Sequence, residues 1–382
     1  MISLVFWISL FFIVYTYVLY PLLLLLLKIF EKRTTVMDET FSPTVSIVIA
    51  VYNERDVIEG RLENLRRIGY QTAKIECIIG SDGSDDGTNL LLAQSNLREL
   101  KVKAFPERRG KAAVLNELIP QAEGEIVVLS DANTFYRPDT VRRLVSHFAD
   151  PQVGAVFGEL ILESDTRTVG GMGEGYYWMY EYAMKRMESD ISTTVGATGA
   201  VYAIRKKLFK PLPTDKPVMD DFIIPLNIVK EGFKVKYEPQ AVAHEIPSNS
   251  VSGEFRRKVR IGAANFYGLS EFAALLHPRY GFASLALWSR KILRWCVPFL
   301  MMVMIAASLM LAVDSQLFRV IVFLEAALFA SALLGFVLER IKIRTGILGV
   351  PYYFVAMNLA LFVGFLKFAF GRQPATWEVI RS

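Results

Sequence analysis

The sequence predicts an α/β domain with a mostly parallel sheet, joined to α-helical transmembrane segments, and three observations carry that expectation. Short β-branched runs alternate with amphipathic stretches of helical period, the pattern of strands covered by helices. The apolar content, 53% of 382 residues, exceeds that of an ordinary water-soluble chain and is concentrated at the two ends. Acidic residues stand at the ends of two predicted strands, Asp82 and Asp131, where a carboxylate costs burial energy unless a cation or hydrogen bonds compensate it.

Residues 2–27 carry no charged side chain and at 1.5 Å per residue are long enough to cross a bilayer. The stretch lacks the basic start and small-residue exit of a cleaved signal and runs into Lys28, Lys32 and Arg33. Further spans are expected at 295–313, 320–338 (with Glu325 inside) and 346–366. Arg290, Lys291 and Arg294 precede the second span, and Arg340, Lys342 and Arg344 join the third to the fourth. The excess of basic residues on the cytoplasmic side of membrane proteins puts all three clusters, and the central domain, in the cytoplasm. By parity the C-terminus falls outside, against which Arg372 and Arg381 speak; a re-entrant last span is the alternative. The expected organisation is an N-terminal span (1–30), a cytoplasmic domain (31–272), an interfacial amphipathic segment (273–294), a region of about three spans (295–372) and a tail (373–382).

Within the central domain the pattern predicts strands at 44–51, 75–79, 102–105, 126–129 and 153–162. Helices are expected at 54–68, 87–100, 111–122, 138–148, 176–187 and 222–230. The two cysteines, Cys77 and Cys296, offer neither a disulfide framework nor metal spacing. The net charge of +5 resides largely beside the spans, where anionic lipid headgroups explain it, so nucleic acid is not an expected partner.

In open α/β sheets ligands bind beyond the carboxyl ends of the strands, where Asn53, Glu54, Asp82 and Asp131 all fall. Asp82 can accept hydrogen bonds from a nucleoside, with Gly83 and Gly87 allowing close backbone approach; alone, an Asp-Gly pair reads equally as a turn, and Asp85 and Asp86 read as caps. Arg109-Gly110-Lys111 opens a helix, a natural seat for a diphosphate, though a surface Arg-Gly-Lys is as often solvated charge. Asp131 and Asn133, two positions apart across a bend, can face one Mg²⁺ or Mn²⁺ together with diphosphate oxygens, against the plainer reading of a capped turn. Asp220-Asp221 places paired carboxylates at a helix start, where mutual repulsion suits one of them to act as a general base. Upstream, Gly199 lies in a small-residue stretch where an acceptor can approach the backbone, or where the chain simply packs.

Together these residues resemble family 2 glycosyltransferases of GT-A fold over about residues 43–261, particularly the membrane-integrated branch of cellulose, chitin, hyaluronan and poly-N-acetylglucosamine synthases. The resemblance implies a nucleotide-sugar site of Asn53, Glu54, Asp82, Lys111, Asp131, Arg257 and Arg260, a metal at Asp131 and Asn133, and Asp221 as catalytic base with Asp220 beside it. It also implies acceptor contacts at Gly199 and Ile261, inverting transfer from a UDP-sugar, and residence in a bacterial inner membrane. Two departures stand out. The metal element ends in Asn133 rather than Asp, and the (Q/R)xxRW element reads Arg257-Lys258-Val259-Arg260-Ile261, with Ile where the family places a Trp under the acceptor. Polymer synthesis with extrusion, accessory export proteins among its partners, is the leading expectation. Single transfer to a lipid or lipid-linked acceptor is the alternative, favoured by Ile261, and a non-catalytic scaffold ranks last. The tail from Gly371 to Trp377 matches the branch more weakly. Glu325, Asn358, Tyr352 and Tyr353 are candidates for a polar lining among the spans.

Overall fold

A computed structural model describes residues 1–30, 36–97, 99–162, 169–245, 251–341, 343 and 345–371. Lys32, Arg33, Lys342, Arg344 and the tail from residue 372 lie outside the described residues. The chain opens with α1 (Ile2–Val14), a π-turn (Tyr15–Leu19) and α2 (Tyr20–Phe30) in one continuous helix. The domain follows as β1 (Val45–Val51), α3 (Arg55–Arg66), β2 (Ile75–Asp82), α4 (Thr88–Ala93), β3 (Leu100–Phe105) and α5 (Lys111–Gln121). It continues through β4 (Ile126–Ser130), β5 (Thr134–Tyr136), α6 (Thr140–Ser146), β6 (Val153–Leu162), α7 (Val169–Ile191), β7 (Val201–Arg205), α8 (Asp220–Lys230), β8 (Lys234–Glu245) and α9 (Val251–Phe272). The C-terminal helices are α10 (Phe282–Leu287), α11 (Leu293–Leu311), α12 (Gln316–Arg340) and α13 (Gly349–Ala369).

The eight strands form one sheet in the order β3-β2-β1-β4-β7-β6-β8-β5. β1 to β4 pair in parallel, as the alternation of strands and helices predicts, but β7 runs antiparallel between β4 and β6 and β5 antiparallel to β8. The sheet is therefore mixed, with β6 and β8 also parallel and four of its seven neighbouring pairs parallel, as expected of a mostly parallel sheet. The expected strands and helices of the first half are present; the expected helix at 87–100 stops at Ala93, and β5, β7 and β8 had no counterpart among the expected strands.

β1 and β4 are buried on both faces, which is why they read as near-continuous apolar runs, broken only by Ser46 and Ser130. Val45, Ile47 and Ile49 face α3 and α6 in one core, while Val48 and Ala50 face α5 and α8 in the other. The strand order reverses between β1 and β4, so a crevice opens beyond their carboxyl ends.

Four helical stretches are long and apolar enough to cross a membrane: Ile2–Phe30, Phe282–Leu311, Gln316–Arg340 and Gly346–Ala369. The second is α10, a π-turn at Trp288–Ile292 and α11 in succession, so from Phe282 onward the segment expected to lie in the interface is continuous with a span. α7 joins the domain to these helices. Tyr20 donates to Glu188 Oε1 at 2.9 Å, and Lys28 pairs with Asp190 at 2.7 Å. Arg290, nearly inaccessible, forms an ion pair with Glu188 at 3.0 Å and donates to the Val195 carbonyl at 2.8 Å, while Arg294 pairs with Glu181. These arginines, expected at lipid headgroups, are instead matched inside the protein, where a buried guanidinium requires carboxylates and carbonyls around it.

Candidate active site

The crevice is built by three loops that hydrogen bonds hold in register. Beyond β1, Asn53 adopts a positive φ of 51° and exchanges side-chain bonds with the loop after β2. Its Nδ2 donates to Asp85 Oδ1 at 2.8 Å and its Oδ1 accepts from the Asp85 N–H at 3.0 Å. The Glu54 N–H donates to Thr88 Oγ1 at 2.9 Å, and the Arg55 N–H to Asp86 Oδ2 at 3.0 Å. Asp86 thus supplies an acceptor to the first turn of α3 rather than only to its own helix, and this satisfies an amide that the helix leaves unpaired.

Asp82, fully buried at the end of β2, accepts the backbone N–H groups of Arg109 at 2.6 Å and Gly110 at 2.9 Å. The carboxylate anchors the turn that opens α5 and so fixes Lys111. The close approach needs Gly83, whose φ of 71° and proximity to the Arg108 backbone leave no room for a side chain.

Lys111 gathers the remaining acids. Its Nζ lies 2.8 Å from Asp131 Oδ1 at the end of β4 and 3.1 Å from Asp220 Oδ1 at the start of α8. Burial alone would lower its pKa, but the Asp131 and Asp220 carboxylates outweigh that and hold it well above the ordinary lysine value. Asp220 is buried, with its second oxygen accepting from the Tyr202 hydroxyl at 2.8 Å.

Asp221 is positioned differently. Its Oδ2 accepts the Gly199 N–H at 3.1 Å, while its carbonyl accepts the Ala197 N–H at 2.8 Å. A Cβ at Gly199 would stand 3.1 Å from that same Oδ2, so glycine allows the contact. Burial first, and the Asp220 charge second, push the Asp221 carboxyl up to about 6. Behind it, buried Lys185 donates to the Thr198 hydroxyl at 3.1 Å and the Ala197 carbonyl at 3.3 Å, which fixes the loop carrying Gly199. Desolvation lowers the Lys185 ammonium to about 8. Phe222 packs edge-on to Phe272 of α9 at 4.8 Å and near Trp295 of α11, so the acid pair is braced against the membrane-side helices.

The structure brings Lys111, Asp131, Asp220, Asp221 and Gly199 into one cluster, with the Asn53–Glu54 and Asp82 loops beside it. Asn133 turns its amide nitrogen to Glu245 Oε1 at 3.0 Å, a contact set by the pairing of Thr134 with Glu245 between β5 and β8. Arg257, Arg260 and Ile261 are half-buried on α9. Sequence reasoning missed Lys185 and Glu245, and also Arg61, a fully buried guanidinium that donates to Ser130 Oγ at 2.8 Å directly before Asp131. No group of three or more His, Cys, Asp or Glu side chains poised for a metal occurs among the described residues. Of the candidates for a polar lining, Glu325 accepts from Ser308 at 2.6 Å, and Asn358 donates to the Phe354 carbonyl one turn back at 2.9 Å.

A mixed sheet with carboxylates at its strand ends and an acid pair across the crevice has the architecture of the GT-A fold. Residues 46–212 match the model of Glycosyl transferase family 2, and that segment is a domain of this family. Poly-beta-1,6-N-acetyl-D-glucosamine synthases are among its relatives. That of Staphylococcus aureus (strain MSSA476) is 28% identical over 222 residues, 56% of this chain and 53% of its own length. That of Staphylococcus epidermidis is 26% identical over 221 residues. The chain spans about half the length of these curated relatives. Among solved structures, the mannosyltransferase of Pyrobaculum calidifontis in complex with GDP-Man and Mn²⁺ superposes with a TM-score of 0.75 over 97% of this chain and all of that one, at 22% identity. This last likeness bears on the fold.

Proposed function

We propose that the protein is a membrane-embedded inverting glycosyltransferase that extends a glycan, using a UDP-sugar donor on the cytoplasmic side of a bacterial plasma membrane. The observation that carries the reading is the Asp221 carboxyl, raised to about 6, held by the Gly199 N–H and adjacent to the Lys111–Asp131–Asp220 cluster. A base of this strength is ionised at neutral pH yet basic enough to share the proton of an acceptor hydroxyl as it attacks the anomeric carbon. Attack from the side opposite the diphosphate gives inversion in one displacement. Lys111, movable between two carboxylates, supplies positive charge where the diphosphate leaves, and Asp82 keeps the α5 amide turn facing it. Arg257 and Arg260 are assigned to the same diphosphate.

Asp131 and Asn133 would hold Mg²⁺ or Mn²⁺. Their hard oxygen donors fit such an ion, because magnesium sites take few protein ligands and complete their shell with phosphate and water. When bound, the ion supplies neutralisation of the departing diphosphate.

Support for glycan extension comes from the poly-N-acetylglucosamine synthases among the relatives. Single transfer to a lipid-linked acceptor is the second reading, and Ile261 in the acceptor position favours it. The test uses full-length protein in lipid nanodiscs with radiolabelled UDP-sugars and GDP-mannose, followed by sizing of the product. Asp221→Asn should reduce transfer at least ~100-fold while leaving nucleotide affinity unchanged, because an amide accepts no proton and the donor is held elsewhere. Substantial residual turnover would remove Asp221 from the base role, and products of one added sugar would select the second reading.

A further inference from the structure

An aromatic cluster with cations over its rings occupies the junction of the catalytic domain with the membrane-side helices, apart from the acid and lysine cluster at Asp221. Tyr177 and Trp178 of α7 form its centre, their rings 5.8 Å apart. Tyr353 of α13 lies 5.5 Å from Tyr177. Lys258 of α9 places its ammonium 5.2 Å from the Tyr177 ring centre and 5.4 Å from that of Trp178. Arg294 of α11 lies over Tyr177 and over Tyr17 of the first span, at 5.2 and 5.7 Å.

From Trp178 a stack of rings leads towards the base. Trp178 stacks on Tyr182 at 5.7 Å and 27°, and Tyr182 on Tyr237 at 5.7 Å and 15°. The Tyr182 hydroxyl is locked to the Leu160 backbone, accepting from its N–H at 2.8 Å and donating to its carbonyl at 3.1 Å. Lys185 lies 5.4 Å from the Tyr182 ring and holds Thr198, the neighbour of the Gly199 that binds Asp221. Trp178 precedes Lys185 by two helical turns on α7, a rise of about 10 Å. Trp178 thus stands back along α7 from the Lys185 that holds the loop binding Asp221.

Resting on the glycosyltransferase reading above, we propose that Trp178, with Lys258, is a binding subsite for a pyranose ring of the acceptor glycan lying behind the ring that receives the new sugar. A pyranose presents an apolar face of C–H groups rimmed by hydroxyls, and an indole with a lysine beside it matches both parts. Lys258 has the flexible stem needed to move off the rings and donate to those hydroxyls. The subsite supplies, from α7, the ring that Ile261 of α9 lacks. It makes the acceptor preference depend on chain length: a monosaccharide reaches Asp221 alone, whereas an oligosaccharide also covers Trp178.

The test measures binding of β-linked tetrasaccharides of glucose, N-acetylglucosamine and mannose, and of the matching methyl monosaccharides, to the full chain in nanodiscs by saturation-transfer NMR, alongside titration with UDP and GDP. Trp178→Ala should weaken the bound tetrasaccharide about fivefold, the worth of one aromatic contact, and leave the monosaccharide and nucleotide affinities unchanged. Trp178→Phe should retain most of the affinity, and Lys258→Met should lose part of it. Failure of the wild type to bind any tetrasaccharide, an unchanged affinity in Trp178→Ala, or an equal loss for nucleotide would overturn the subsite. Because binding is read without turnover, a protein that binds the tetrasaccharide through Trp178 but transfers nothing would overturn the glycosyltransferase reading while sustaining the subsite.

Discussion

The adjacent acids Asp220 and Asp221 share a helix start but not a setting. Asp220 is tied to Lys111 and Tyr202, whereas Asp221 has one backbone donor and a raised pKa. Two outcomes follow for pH. Transfer should fall about tenfold per pH unit below the Asp221 pKa as the base is protonated, and a rate profile from pH 4.5 to 8 reads this directly. For stability the sign is opposite. A carboxyl whose folded pKa exceeds its unfolded value of 3.8 favours the folded state most below 3.8 and loses that contribution as pH rises through about 6. Asp221→Asn, which keeps an oxygen for the Gly199 N–H, should therefore melt higher than the wild type at pH 8, with the difference vanishing near pH 4. An inactive variant with a lowered melting point at pH 8 would contradict that assignment. Asp131→Ala should act elsewhere: nucleotide titrations with and without Mn²⁺ should differ in the wild type and coincide in the variant. A retained Mn²⁺ effect would exclude Asp131 as a ligand.

At the scale of elements, the crevice was legible where local chemistry decides it. Asp82 closes a strand with an apolar centre, Cys77-Ile78-Ile79, and Asp131 follows the apolar strand β4, both before turn-forming residues, so their position at strand ends follows from neighbours in sequence. The same holds for Lys111, placed by Gly110 at a helix start. Residues placed by packing were not legible. Arg61 sits in an amphipathic helix, where a lone arginine ordinarily faces water, yet it is buried against Ser130 and the Tyr136 ring. Glu245 reaches Asn133 only through the pairing of β5 with β8, across more than a hundred residues of chain. The packing of α9 on α13 is likewise invisible in one dimension. A Cβ at Gly364 of α13 would stand 2.9 Å from both the Ala263 nitrogen and the Val259 carbonyl oxygen of α9, which is closer than backbone atoms allow. Gly364→Ala should therefore separate the helices, cost roughly 1–3 kcal/mol and lower the melting point, and the displaced Arg257 and Arg260 should weaken donor binding. Gly175→Ala, with open space around it, serves as the control. Equal melting points for the two variants would show that the α9–α13 contact yields freely.

At the scale of the whole molecule, four apolar helices do not require four crossings. α12 is 25 residues long, about 37 Å at 1.5 Å per residue, enough to traverse a hydrocarbon core of about 30 Å. Arg319 near its start donates to the Ala312 and Val313 carbonyls at 2.9 and 2.8 Å, so its charge is matched by the end of α11, while Arg340 stands in the last turn at the other end. α13 behaves differently, because it keeps company with the catalytic domain along its length. Tyr353 touches Tyr177 of α7, Ala360 and Gly364 meet the 259–263 turns of α9, and Phe365 and Phe368 pack on Phe266 at 5.3 and 5.9 Å. Tyr353 and Phe368 are fifteen residues apart, a rise of about 22 Å, whereas a helix crossing the bilayer leaves a cytoplasmic domain within a turn or two. Its partner α9 carries Arg256, Arg257, Lys258 and Arg260, which keep it out of the hydrocarbon. The packing favours α13 in the interface, with three crossings in all and Lys367 at headgroup level. Single-cysteine labelling in sealed vesicles should place Ser315 on the far side of the membrane, and Thr345 and Gly371 together on the side of the catalytic domain. Labelling of Gly371 with Ser315 would establish a fourth crossing and require α13 to part from α9 in the bilayer.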